Sequence, residues 1–173
     1  ESRVIGITQT GGVILDQTNF YATSGGQPGD TGYLEREDGS TLSIETTVYG
    51  DSKQEILLLP EDTSHKLKVD EILVGHIDWD NRYKLMKMHT ACHLLSVVCP
   101  YPITGAAVYV DNSRIDFDLA QASISKEEVT EKLVHLIKEN HPVYTKWISE
   151  EELDADPSII KSKNVSPPRG MGK

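Results

Sequence analysis

The apolar residues of this 173-residue chain change their spacing once, near Asp78–Arg82, and that change confines it to a fold of two unlike parts. Up to about residue 80 they come in short runs separated by glycine turns. Val4-Ile5-Gly6-Ile7 and Val13-Ile14-Leu15 flank Gly11-Gly12, and Tyr33-Leu34-Glu35 and Leu42-Ser43-Ile44 flank Asp38-Gly39; both are hairpin signals. Glu55-Ile56-Leu57-Leu58-Leu59, ended by Pro60, and the run from Ile72 to Trp79 add two more strands. Many short strands with turns between them predict a small barrel or sandwich.

From Arg82 the spacing becomes helical. Leu85, Met86, Met88, Ala91, Leu94, Leu95 and Val98 predict a helix over 82–98 that Pro100 and Pro102 stop. Ala106–Val110 and Arg114–Leu119 predict a hairpin turning at Asp111-Asn112-Ser113. Ser125 with Glu128 forms the pattern of a capping box, opening a helix with Val129, Leu133, Leu136 and Ile137 on its core face. Asn140-His141-Pro142 ends it, and Val143–Ile148 reads as a strand. Ser149 with Glu152 opens a short acidic helix through Leu153, and 165–172 reads as a loop. Trp79 and Trp147 fall in strand-like segments and are expected as anchors of a core or domain interface. His65 falls in a polar loop, and His135 and His141 are expected as surface residues or as favourable charges near a helix C-terminus. The fold class expected is α+β: a β-barrel-like domain over residues 1–80, then a domain over 81–173 in which helices pack on an antiparallel sheet.

Charge and composition narrow the function classes. A formal net charge of −10 makes the chain no obvious nucleic-acid binder, although a local basic patch is enough for one. No run of 18 apolar residues exists and the start lacks a signal-peptide pattern, so no membrane partner is expected. Two cysteines, Cys92 and Cys99, are too few for a disulfide framework, which suits a reducing, cytoplasmic setting. The chain starts at Glu1 and stops at Gly172-Lys173 in what reads as a loop, so a C-terminal truncation is expected.

Two segments carry residues suited to chemistry. His89 and His93 stand four apart on the expected helix, one turn from each other on one face, and such a pair can share a metal ion, usually zinc. The Glu of the H-E-x-x-H proteases is missing, so that chemistry is not implied. The alternative is an ordinary pair, since six histidines in the chain make one such spacing unsurprising. The second segment is Asp16–Gly32, with Gly25-Gly26-Gln27-Pro28 at its centre. Two glycines permit positive φ and close approach to a ligand, and the Gln27 amide can donate and accept. A plain surface loop joining strands fits as well.

Taken together, Asp16…Phe20-Tyr21…Gly25-Gly26-Gln27-Pro28…Asp30-Thr31-Gly32, then Arg82…Met88-His89-Thr90-Ala91…His93-Leu94-Leu95, then Ser113-Arg114-Ile115-Asp116-Phe117-Asp118, then Pro167-Pro168-Arg169-Gly170, resemble the AlaX family and the similar editing domain of alanyl-tRNA synthetases. The resemblance covers essentially the whole chain, with the blocks in the family's order.

The resemblance implies a freestanding editing enzyme, with an editing-type second domain. It implies hydrolysis of the ester of alanine tRNA that carries serine, or in some cases glycine. It also implies one zinc ion held by an H-x-x-x-H pair, which maps onto His89 and His93, and by a later C-x-x-x-H pair. That second pair maps onto nothing here and is expected beyond Lys173. Gln27 and the amides of Gly25 and Gly26 are then expected to hold substrate or water, in a cleft between the two parts. Thr23, Thr31 or Thr104 is expected to pair with the serine hydroxyl, and the sequence does not choose among them. Arg82, Lys84, Lys87 and Arg114 are candidates for tRNA contact, or else solvated surface charges. Three other readings stay open. They are a tRNA- or protein-binding module without catalysis, an editing domain cut from a full synthetase, and an unrelated metallohydrolase.

Overall fold

The computed structural model describes residues 1–119, 125–160 and 162. The expected 165–172 loop, with its Pro-Pro-Arg-Gly block, lies outside them.

Six strands, β1 (Ser2–Ile7), β2 (Val13–Leu15), β3 (Gly32–Arg36), β4 (Thr41–Tyr49), β5 (Ile56–Pro60) and β6 (Ile72–Ile77), close into a barrel in the order β1-β2-β5-β4-β3-β6. Every neighbouring pair is antiparallel. The interior is filled by one inward side chain after another: Val4, Val13, Leu15, Leu34, Leu42, Ile44, Leu58 and Leu73, with Phe20 and Leu67 from loops. Alternation of side chains along a strand is what lets one face pack while the other meets water. Pro60 is the last residue of β5, paired with Ile44 where a missing N–H is tolerated.

One irregularity shapes the candidate site. Leu42 and Ile44 point inward on β4, but its register against β5 slips between Ile44 and Thr46. A bulge of this kind inserts one extra residue and resets the alternation. The next inward side chain is therefore Thr47, fully buried, whose hydroxyl donates to the carbonyl of Asp30 at 3.0 Å.

Helix α1 (Trp79–Val98) begins directly after the barrel. The Asp78 carboxylate accepts from Asn81 N–H at 3.0 Å and so caps its first turn. The expected strand through Trp79 ends earlier, at Ile77, because Asp78 starts the helix. Trp79 is half exposed (55%), which corrects its expected place in a core.

The described residues form two compact units. The first holds Glu1–Lys87 and Val108–Asn112, the second Met88–Ala107 and the described residues from Ser113 onward. In the second unit β7 (Ile103–Ala107) pairs antiparallel with β8 (Arg114–Phe117). Helix α2 (Lys126–Glu139) is capped by Ser125, whose hydroxyl oxygen accepts from Glu128 N–H, and closes on Asn140 in the left-handed region. The expected core face of α2 is thin: Val129, Leu133 and Leu136 are partly covered, Ile137 is exposed, and no residue of the helix is buried. Helix α3 (Glu150–Ala155) carries the full capping box of Ser149 and Glu152 and buries Leu153.

The expected strand over Val143–Ile148 is absent. That stretch pairs with no strand among the described residues, and Val143, Tyr144 and Trp147 are more than four-fifths exposed. Trp147 is thus no core anchor. The sheet expected beneath the helices extends, among the described residues, to the β7–β8 ladder and one isolated bridge from Ile103 to Ser162.

Candidate active site

The Asp16–Gly32 loop folds back on itself in a two-residue turn. Ser24 and Gln27 exchange both backbone hydrogen bonds, at 3.1 and 2.9 Å. Gly25 and Gly26 between them have φ of +56° and +79°, the type I′ geometry that two glycines adopt without strain. Both glycines are exposed, and their N–H groups take no partner among the described residues. Gln27 is only 4% exposed, so its side chain lies within the fold behind the turn. The Gly26 carbonyl accepts from Val108 N–H at 2.7 Å. The expected strand over Ala106–Val110 stops at Ala107 for this reason: Val108 leaves the ladder, is buried, and belongs to the first unit.

Below the turn, backbone contacts fix the loop on β4. Thr23 N–H donates to Thr47 O at 2.9 Å, the Thr23 hydroxyl donates to the same oxygen at 3.2 Å, and Gly29 N–H donates to the Thr23 hydroxyl at 2.8 Å. A Cβ at Gly29 would stand 1.9 Å from Thr47 O, so only glycine fits this approach.

Asp30 ties the loop to the helix. Its carboxylate is nearly sealed from water, accepts from Tyr21 N–H at 2.7 Å, and takes a bidentate pair from Arg82: Nε to Oδ1 at 2.7 Å and Nη2 to Oδ2. Arg82 Nη2 also reaches the Asn19 carbonyl at 3.0 Å, and its guanidinium lies 5.8 Å from the Tyr21 ring centre. Hydrogen bonding to Asp30 raises the Arg82 pKa above its ordinary value, and burial raises that of the Tyr21 hydroxyl. Asp78 N–H donates to Thr31 O at 2.8 Å, which joins the end of the loop to the helix cap. The Thr31 hydroxyl makes no hydrogen bond among the described residues, whereas that of Thr23 is committed on its donor side.

The first unit therefore gathers Thr23, Gly25, Gly26, Gln27, Thr31 and Arg82. The histidines belong to the second unit. His89 and His93 stack with ring centres 5.0 Å apart and planes 13° from parallel, as an i, i+4 pair on α1 does. Burial, and then the neighbouring His93, lowers the His89 pKa, which favours the neutral imidazole a metal needs. Among the described residues no group of three or more His, Cys, Asp and Glu could hold a metal ion. The pair fits half of a tetrahedral zinc set, and the described residues alone do not complete one. Cys92 on the same helix is a partly covered free thiol whose pKa is raised by burial, and Cys99 is buried at the helix end.

Arg114 lies on β8 with a largely exposed side chain, and its Nε meets Asp116 Oδ2 at 3.2 Å. Thr104 Oγ1 donates to the Asp116 carbonyl at 3.3 Å. Sequence reasoning missed three residues that build the loop: Asp30, Thr47 and Val108. Asp30 had a signal, as a carboxylate among the glycines of residues 25–32 with an arginine early in the next helix. Thr47 had none, since its inward position depends on the bulge.

Residues 2–81 match the family of class II (A) tRNA synthetases. Over 165 residues the chain is 39% identical to the alanyl-tRNA editing protein AlaX-M of Methanosarcina acetivorans, covering 89% of this chain and 66% of that protein. Over 173 residues it is 31% identical to AlaX-M of Saccharolobus solfataricus, covering 98% and 72%. The alanine–tRNA ligase of Pyrobaculum arsenaticum is 32% identical over 168 residues, which cover 92% of this chain but 18% of the ligase. The chain spans about two thirds (64–66%) of the AlaX-M proteins from Methanosarcina that it matches. By these relatives the chain belongs to the AlaX family of alanyl-tRNA editing proteins.

Proposed function

We propose that the protein hydrolyses the ester of tRNA(Ala) mischarged with serine, with glycine as a secondary substrate. The observation that carries this reading is the Ser24–Gln27 turn, which presents two glycine amides outward from a rigid base. Water adds through oxygen to the acyl carbon, the bond from that carbon to the ribose oxygen breaks, and the proton lost by water ends on the ribose oxygen. The products are the free amino acid and uncharged tRNA. The carbonyl oxygen gains charge as water adds, and the Gly25 and Gly26 N–H groups are suited to receive it. The buried Gln27 supports the turn from behind and so keeps the two amides in place. An aminoacyl ester is an activated acyl group, so positioning and oxyanion stabilisation supply much of what the reaction requires.

His89 and His93 would hold zinc with two further ligands from outside the described residues. When bound, the metal supplies Lewis-acid polarisation or orientation of the substrate. For selectivity, Thr31 is our choice over Thr23. Its hydroxyl can both donate to and accept from a serine hydroxyl, and it loses a partner when alanine enters.

Steady-state hydrolysis of seryl-tRNA(Ala) and alanyl-tRNA(Ala) by wild type and Thr31→Val tests the reading. The expected result is that wild type prefers the seryl ester and that Thr31→Val lowers kcat/KM for it about tenfold, with alanyl-tRNA little changed. Equal rates on both esters by wild type would overturn the assigned selectivity.

A further inference from the structure

The first two turns of α1 carry an exposed ladder that the editing chemistry leaves unused. Trp79 and Tyr83, four residues apart, are 55% and 49% exposed. Their rings lie 6.1 Å apart, centre to centre, and 17° from parallel. Lys87, one turn on, places Nζ 4.8 Å from the centre of the Tyr83 ring. Large aromatic side chains are normally spent on a core, so two of them stacked in water on one helix face call for a partner.

The charges beside the ladder identify its chemistry. The whole chain is acidic, and each of the four described arginines is engaged by a carboxylate: Arg3 by Asp70, Arg36 by Glu71, Arg82 by Asp30 and Arg114 by Asp116. Lys84 and Lys87 form no ion pair among the described residues, although Asp80 is four residues before Lys84. At the next turn the face carries Met86, 44% exposed, and beside it Lys87, whose ammonium stands over the last ring. Aromatic faces followed by uncommitted ammonium groups match a strand of stacked bases and phosphates.

We infer that Trp79, Tyr83, Lys84 and Lys87 form a stacking platform for unpaired RNA bases, and that the strand it holds is the single-stranded 3′ end of the tRNA. The inference rests on the editing reading for the identity of that RNA. Bases in a duplex offer no open face to an aromatic ring, whereas those of the 3′ end do. The ester to be cut sits on the same end, so binding there positions the substrate without touching the reacting atoms. Trp79 and Tyr83 act as positioning residues.

Replacing Trp147 by Phe leaves Trp79 as the only tryptophan of the chain, so its fluorescence reports the platform directly. The W147F protein is titrated with uncharged tRNA(Ala), and with the same tRNA trimmed of its unpaired 3′ nucleotides. Quenching by the intact tRNA, and little by the trimmed one, is the expected result. In deacylation assays Trp79→Ala and Tyr83→Leu should each raise KM for seryl-tRNA(Ala) about tenfold, with kcat within about twofold; Trp79→Phe should restore most of the loss. Equal quenching by both RNAs, or an unchanged KM in Trp79→Ala, would overturn the platform while leaving the hydrolase standing. Quenching that needs the 3′ end, in a protein that cleaves neither ester, would sustain the platform and defeat the hydrolase. A change of molecular mass in solution on Trp79→Ala, with RNA binding unaltered, would reassign the face to contact between two copies and overturn the proposal.

Discussion

Asp30 shows how much one side chain settles. It is sealed from water, and its partner Arg82 keeps only 18% of its side chain exposed. Removing one member of such a pair strands the other charge, so Asp30→Asn should lower unfolding stability by about 3 kcal/mol, measured by urea denaturation. Arg82→Lys should not rescue it, because an ammonium cannot reproduce the two-pronged contact. Gly26 and Gly29 offer a sharper contrast. Gly26→Ala places a side chain at φ +79° in an open turn and should cost about 1–2 kcal/mol. Gly29→Ala drives a methyl into the Thr47 carbonyl and should cost clearly more, as the loop has to leave β4. A Gly29→Ala protein as stable as Gly26→Ala would mean that the close approach to Thr47 is wrong.

At the scale of elements, the barrel was legible because period-2 runs and glycine turns are local signals. Val13 and Leu15, Leu34, and Leu42 with Ile44 all face inward as their alternation requires. Helix α1 was legible from its spacing, although Asp78 starts it earlier than the apolar residues suggest. Its cap predicts that Asp78→Ala costs about 1 kcal/mol, read from the same denaturation curves. What local signals could not supply was partnership. Val143–Ile148 has strand composition, yet a strand exists only when another pairs with it, and none of the described residues does. The apolar stripe of α2 is correctly spaced, but spacing does not say whether anything covers it. Val108 illustrates the same limit within the candidate site: composition placed it in a hairpin, and the carbonyl of Gly26 took it out.

For the molecule as a whole, the fold turns a strongly acidic chain into one whose uncommitted cations include two beside an aromatic ladder. Overall charge opposes binding to nucleic acid, so contact must be local and sensitive to salt. If Lys84 and Lys87 each neutralise one phosphate of a single strand, the logarithm of the tRNA dissociation constant should rise against the logarithm of salt concentration with a slope of about 1.4. Fluorescence titrations at several ionic strengths measure that slope. Substituting both lysines by Gln should bring it close to zero.

The proposed hydrolysis gives one role to the loop and another to the paired histidines. Single-turnover release of serine from seryl-tRNA(Ala), compared among wild type, Gln27→Ala and the His89→Ala/His93→Ala double variant, tests it most directly. The account predicts cleavage by wild type, with a loss of about a hundredfold or more in both variants while each remains folded. Undiminished cleavage in either variant, or none by the wild-type protein loaded with zinc, would contradict it.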